Sequence, residues 1–285
     1  MNAQALPPAS PWQSGSAGDE SAHVFGDGLV GVITRPGADA ARGDVAVILL
    51  NAGLVQRSGP HRGSVQLARS LATRGFAVLR FDQSGLGDSP VPANAGGDRR
   101  GRELAAAIEL LARETGASRF VVGGICSAAD TAFRLAATEQ RVHGLLLLDG
   151  PGYRTPGWWL RYLPPRLLQP RKLWSWWRQR GSGVDMANFR DFPSRGEAVA
   201  RTQAFAARGG RMLLVYTGGA YRYFNHAGQV RCFGRAARSP AVTSAYWRDC
   251  DHTFYLARDR QRLQALVGDW LEHAFTQSPR SSHTP

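Results

Sequence analysis

The stretch VVGGICSAAD, residues 121–130, sets a cysteine beside a serine where an apolar run gives way to a helical pattern. A strand that turns directly into a helix displays a nucleophile at the tip of the turn, provided the residues two before and two after it are small. Centred on Cys126, those flanks are Gly124 and Ala128; centred on Ser127, they are Ile125 and Ala129, and a β-branched isoleucine does not suit the position. The steric rule therefore selects Cys126, at a helix N-terminus where the dipole favours a thiolate. It leaves Ser127 to offer a backbone N–H to an oxyanion. The competing reading is an inert cysteine buried at a strand end. Asp130, in the first turn of the same helix, counts against an easy thiolate because its charge opposes a second negative charge nearby.

A thiol attacking a carbonyl needs a histidine, and the chain has seven. His23, His273 and His283 lie near the termini, His143 begins a strand and His226 sits in a polar loop, leaving His61 and His252. His252, in RDCDHTFYLARD, falls between the last strand and the last helix. Cys126 and His252 then have the chain order and spacing expected of a nucleophile and its base. Taken alone, His252 would read as an exposed loop residue.

These side chains can meet only if the surrounding elements carry them to one edge. VAVILL (45–50), FAVLRF (76–81), FVVGGI (120–125), VHGLLLLD (142–149), RMLLVYT (211–217) and AVTSAYW (241–247) read as strands, most of them apolar throughout, as in sheets buried on both faces. Helical patterns lie between them at 61–75, 102–116, 127–138 and 197–209, and a last one spans 254–275. HVFGDGLVGVITRPG (23–37) reads as a leading hairpin. Repeated strand–helix alternation predicts a mostly parallel sheet covered by helices on both faces, with its chemistry at the carboxyl ends of the strands. One domain is expected over 21–276, interrupted at about 152–195 by a Trp-, Pro- and Arg-rich insertion, with disordered segments at 1–20 and 277–285.

Composition narrows the class. The formal charge is +13 and the pI about 10.8, with Lys172 the only lysine. An excess of arginine suits anionic partners, but total charge alone does not say which. Three cysteines at wide spacing fit a reduced, cytoplasmic protein better than a disulfide framework. No CxxC pair or His/Cys cluster suggests a metal site, the N-terminus lacks the pattern of a signal peptide, and no apolar run approaches the ~18–20 residues of a membrane span.

Two further motifs complete a resemblance. FDQSGLGDS (81–89) is similar to the D-x-x-G-x-G-x-S loop after the fourth strand of α/β-hydrolases, and NAGLVQRSGPHR (51–62) takes the place of their oxyanion loop. With the elbow and the DHTF histidine, the chain resembles that superfamily over most of residues 21–276. The R-x-G-x-H-R ending, the G-[IL]-C-x-A elbow and the arginine-rich segment after LLLLD resemble one branch, the bacterial hydrolases associated with the exosortase A system, which carry a cysteine elbow.

The resemblance implies an α/β-hydrolase fold in which the insertion forms a helical lid. It also implies an acid after RMLLVYT, yet no Asp or Glu occurs from 198 to 248. Asp149, at the end of LLLLD, is the preferred substitute, since some α/β-hydrolases draw their acid from the preceding strand. Asn225 and a bare Cys–His dyad are the alternatives. The oxyanion hole is expected to combine the N–H of Ser127 with that of Gly53, where glycine lets the backbone approach closely. Arg57, His61 and Arg62 lie just beyond and could meet an anionic part of the substrate; solvated surface charge is the plainer reading of each.

The segment 151–184 holds seven basic residues, no acidic one, and five of the eight tryptophans, Trp158 and Trp159 among them. Apolar faces edged with arginine would suit an acyl chain, or shallow contact with an anionic membrane, and a lid packed on its own core is the plainer alternative. Nucleic acid is not expected, because the aromatic and basic residues are confined to one segment and no nucleic-acid motif appears. The expected function is cofactor-free hydrolysis of an ester or thioester, on a small molecule or an acyl carrier, through an acyl-cysteine at Cys126. Acyl transfer through the same intermediate, and a non-catalytic binding protein on a hydrolase scaffold, are the rival expectations. Oligomeric state is not legible.

Overall fold

The computed structural model describes residues 19–37, 44–91, 96–164, 190 and 192–275. Of the segments expected to be disordered, residues 1–18 and 277–285 lie outside the described residues, as do the lid insertion apart from its two ends and Trp174, Trp176 and Trp177, whereas Glu20 opens the first strand.

Eight strands form one sheet: β1 (Glu20–Phe25), β2 (Leu29–Thr34), β3 (Val45–Leu49), β4 (Ala77–Phe81), β5 (Arg119–Ile125), β6 (Val142–Leu148), β7 (Arg211–Thr217) and β8 (Val242–Trp247). Their order is β1-β2-β4-β3-β5-β6-β7-β8. The β1–β2 hairpin joins the edge of β4 antiparallel, and every other pairing is parallel. The helices are α1 (Gly63–Ala72), α2 (Arg99–Thr115), α3 (Ser127–Leu135), α4 (Pro156–Tyr162), α5 (Arg195–Ala207) and α6 (Ala257–Phe275).

Two apolar layers sandwich the sheet because residues along a strand point alternately to its two faces. In β3, Ala46 and Ile48 join Leu104, Ile108 and Phe133 of α2 and α3, while Val45, Val47 and Leu49 join Leu67, Leu71, Leu263, Val267 and Leu271 of α1 and α6. Each fully buried aliphatic side chain contributes about 1.5–3 kcal/mol of transfer free energy, so strands apolar on both faces are held in register from both sides.

Helix ends follow local chemistry. α2 starts three residues before the expected Arg102, because the Asp98 carboxylate accepts from Gly101 N–H and caps it. Ser194 and Glu197 form a reciprocal capping box on α5. Inside the insertion, Thr155 caps α4 and Pro156 occupies its first position. This seven-residue helix is too short to show a period in the sequence.

Candidate active site

The turn from β5 to α3 is the most constrained part of the chain. Cys126 adopts φ 59°, ψ −123°, a conformation that costs a non-glycine residue about 1–3 kcal/mol and must be imposed by its surroundings. A Cβ on Gly124 would come within 2.6 Å of Ala128 Cβ and 3.0 Å of the Leu50 carbonyl. The small-residue rule that selected Cys126 thus has a specific steric cause. The Cys126 N–H donates to the Leu148 carbonyl at 2.8 Å, tying the turn to the neighbouring strand end.

His252 lies in the loop between β8 and α6. Its position depends on Gly219, where a Cβ would come within 2.6 Å of His252 Cβ. Gly218 likewise has no room for a side chain against the Arg248 carbonyl. Asp251 points away from the imidazole, accepting from Thr253 N–H at 2.7 Å and Tyr255 N–H at 2.8 Å, and so shapes the turn that presents His252.

Nδ1 of His252 pairs with Oδ2 of Asp149 at 2.7 Å. Asp149 is fully buried at the tip of β6, with φ 47°. Its carboxylate also accepts from Thr217 N–H at 2.7 Å and from Thr217 Oγ at 2.6 Å. At the end of β7, where the resemblance leads one to expect an acid, the chain instead provides two donors to an acid on the adjacent strand. Asn225 does not approach His252: its amide donates to the Trp158 carbonyl at 3.2 Å.

With Nδ1 occupied, Nε2 is left for the thiol, and Cys126 and His252 each shift the other's titration. Burial pushes the thiol up, but the bond to His252, the positive charges of Arg190 and His252, and the Ser127 N–H together bring it below the ordinary thiol value. His252 is pushed up to about 10, first by Asp149 and then by Cys126, against the opposing effect of burial. The two shifts act in the same sense, each favouring the thiolate–imidazolium form.

The Gly53 N–H faces the start of α3, but it donates to Ser127 Oγ at 2.8 Å. An incoming oxyanion would have to displace that hydroxyl. The loop carrying Gly53 is braced from β4: Asp82 accepts from Asn51 Nδ2 at 3.1 Å, Arg57 N–H at 2.6 Å and Asp88 N–H at 3.2 Å, and pairs with the Arg57 guanidinium. Gly87 has no room for a Cβ beside Asp82, and Ser89 Oγ donates to the Asp82 carbonyl at 2.6 Å. The D-x-x-G-x-G-x-S motif is therefore a brace for the oxyanion loop.

Two residues expected to meet substrate have other partners. Arg57 is engaged within this brace, pairing also with Asp88 at 2.7 Å, while it also lines a cavity with Asn51, Ala52, Gly124 and Thr253. Trp158 is buried, stacks on Tyr162 at 4.1 Å and donates its indole N–H to the Tyr221 carbonyl at 3.0 Å. Trp159, by contrast, is exposed. His61 lies edge-on to Tyr255, 5.0 Å between ring centroids, against the loop carrying His252.

Sequence reasoning missed Thr217, Tyr223 and Arg190. Arg190 forms a fork with the Asp130 carboxylate through Nε and Nη2, each at 2.8 Å. The charge that seemed to oppose a thiolate is thus balanced. Among the described residues, no three His, Cys, Asp or Glu side chains group so as to hold a metal ion, and no helix is long and apolar enough to cross a membrane.

A mostly parallel sheet with a tight strand-to-helix turn after its fifth strand and a histidine after its eighth defines the class of scaffold. A family model described as the alpha/beta hydrolase fold matches residues 46–192, just over half of the chain; the protein belongs to this family and is an α/β-hydrolase. A search of curated proteins found no match. Among solved structures, a serine hydrolase of Xanthomonas campestris described as lacking a lid is 14% identical, with 93% of this chain and 98% of that chain covered and a TM-score of 0.55. An esterase of Pyrococcus furiosus is 17% identical, covering 90% and 91%, with a TM-score of 0.58. An acylaminoacyl peptidase of Pyrococcus horikoshii is 14% identical, covering 93% of this chain and 43% of that chain, with a TM-score of 0.56. At these identities the likeness is one of fold.

Proposed function

We propose that the protein hydrolyses an ester or thioester through an acyl-cysteine intermediate at Cys126. The observation that carries this reading is the continuous relay from a strained, elbow-borne thiol through His252 to the buried Asp149. The Cys126 thiolate attacks the carbonyl carbon, and the N–H groups of Ser127 and Gly53 receive the oxyanion once the Ser127 hydroxyl has moved aside. The imidazolium gives its Nε2 proton to the departing alkoxide or thiolate, and the acyl group remains on sulfur. Neutral His252 then takes a proton from water, whose oxygen attacks the thioester. The acid leaves, the thiolate returns and His252 is again protonated. Asp149 holds Nδ1–H throughout and supports the charged ring.

This reading accords with the cysteine-elbow branch associated with the exosortase A system, whose motifs the chain resembles. The substrate is a small molecule or an acyl carrier bearing an apolar acyl group. Leu54 and Val55 beside Gly53, Tyr255 and Leu256 beyond His252, and Trp159 and Leu160 on α4 are exposed apolar side chains that support this choice. The same residues favour peripheral contact with lipid over nucleic acid. We place the protein in the cytoplasm, where its three free cysteines would stay reduced. The non-catalytic reading rested on a missing acid and an uncompensated Asp130; the contacts of Asp149 and Arg190 favour catalysis instead.

The test is acyl-enzyme trapping read by intact mass. Cys126→Ala is expected to abolish both covalent labelling by a thiol-reactive acyl probe and turnover of ester and thioester panels. Ser127→Ala is expected to keep both. Labelling that persists in Cys126→Ala and vanishes in Ser127→Ala would overturn the assignment. Adding an alcohol or amine acceptor to the trapped intermediate separates hydrolysis from acyl transfer.

A further inference from the structure

Arg190 stands at the returning end of the insertion, and its side chain is only 9% exposed. Besides forking Asp130, its Nη2 donates to the main-chain carbonyl of Asp149 at 2.7 Å and to that of Cys126 at 3.3 Å. Its Nη1 donates to Tyr223 Oη at 2.7 Å, and that hydroxyl donates to the same Asp149 carbonyl at 2.9 Å. The guanidinium lies over the rings of Phe192, 4.4 Å from the centroid, and Tyr223, at 5.3 Å. Cys126 and Asp149 are two of the five non-glycine residues with positive φ among those described. One cation therefore holds the carbonyls of two strained residues on neighbouring strand ends, away from their reacting side chains.

We propose that Arg190 is a positioning residue through which the returning end of the insertion sets both the backbone of Cys126 and Asp149 and the charge felt by the Cys126 thiol. This rests on the reading of Cys126 as the nucleophile. The charged and titratable groups that act on that thiol are His252 from the loop after β8, Tyr223 from the loop after β7, and Arg190 itself, while Asp149 and Asp130 stand behind His252 and Arg190 as their partners. Without Arg190, Asp130, four residues along the chain from Cys126, would lose the guanidinium that forks it, and like charges disfavour ionisation. The positive charge of Arg190 also favours the thiolate directly. A lysine could supply charge, but not a planar fork that reaches a carboxylate and two carbonyls together.

The experiment follows iodoacetamide alkylation of Cys126 against pH by site-resolved mass spectrometry on the full chain. The variants are Arg190→Met, Arg190→Lys, Asp130→Asn and the Met/Asn double variant. Arg190→Met is expected to move the ionisation midpoint upward and to slow alkylation at neutral pH roughly tenfold. Asp130→Asn is expected to move the midpoint downward, the double variant to return it towards wild type, and Arg190→Lys to restore it only in part. A midpoint unmoved in Arg190→Met, even with a lower Tm, overturns the proposal, because loss of a purely structural strut would not change ionisation. A double variant as slow as Arg190→Met also overturns it. If Arg190→Met does not fold, Asp130→Asn decides, and an unmoved midpoint there is equally fatal. Wild-type Cys126 that resists alkylation at every pH would instead bring down the catalytic reading, and this inference with it.

Discussion

Asp149 meets His252 from the tip of β6, with 2.7 Å between Oδ2 and Nδ1, while Thr217 at the tip of β7 donates to both oxygens of the same carboxylate. The carboxylate comes from the tip of β6, and the tip of β7 holds the groups that fix it. Asp149→Ala should therefore lower kcat by roughly 10²–10³-fold. It should also bring the alkaline limb of the pH profile down towards the ordinary histidine range, since Asp149 is the main cause of the raised imidazole. Asp149→Asn keeps the volume and checks that lost packing is not responsible. Asn225→Ala should leave the limb where it is. An Asp149→Ala enzyme with wild-type kcat would mean that the dyad suffices.

A lowered Cys126 and a raised His252 predict a plateau of activity between two limbs. Cys126 is lowered, so activity falls on the acid side only as pH drops through its depressed value and the thiolate is protonated. His252 is raised to about 10, so activity falls on the alkaline side near there, where the leaving group loses its proton donor. Stability follows the same signs. The raised His252 stabilises the fold fully below its unfolded value of about 6.5, and this contribution is lost as pH rises through about 10. The lowered Cys126 contributes above the ordinary thiol value, and its contribution is lost as pH falls through the folded one. Profiles of kcat/KM and Tm against pH, compared with Cys126→Ala for Tm, check both limbs.

Arg57→Ala tests whether that guanidinium braces a loop or binds a ligand. Released from Asp82 and Asp88, the Gly53 loop should lose its position, and kcat/KM should fall by about the same factor for neutral and anionic substrates, with a lower Tm. A loss confined to anionic substrates would show instead that Arg57 meets the substrate.

The neighbouring tryptophans should separate cleanly. Trp158→Ala removes a buried, stacked ring and should cost about 3–5 kcal/mol, read from chemical denaturation. Trp159→Ala, at an exposed position, should leave stability within about 0.5 kcal/mol and raise KM most for the longest acyl chains. Equal effects on stability would contradict this division.

The framework of the molecule was legible because burial on both faces leaves a plain trace. Continuous apolar runs such as VAVILL and LLLL announce parallel strands, and Gly124 and Ala128 mark the one turn that needs small flanks. The order of the motifs then placed Cys126 beside the His252 loop. What escaped notice has no period and no local partner. Thr217 serves Asp149 from 68 residues away, and Arg190 serves Asp130 from 60. Nothing near either residue in sequence hints at the pairing. The burial of Trp158 was not legible either, because an aromatic and basic composition does not say which side of a short helix turns inward. The bond between Arg57 and Asp82 was equally hidden, because its partner comes from a different loop.

The two glycines after β7 bear on how this site can change. A side chain at Gly218 would run into the Arg248 carbonyl, and one at Gly219 into His252 itself. No single substitution can place an acid at either position, because the loop that carries His252 fills the space its side chain would need. A carboxylate after β7 would first require that loop to be rebuilt, while Asp149 still held the imidazole.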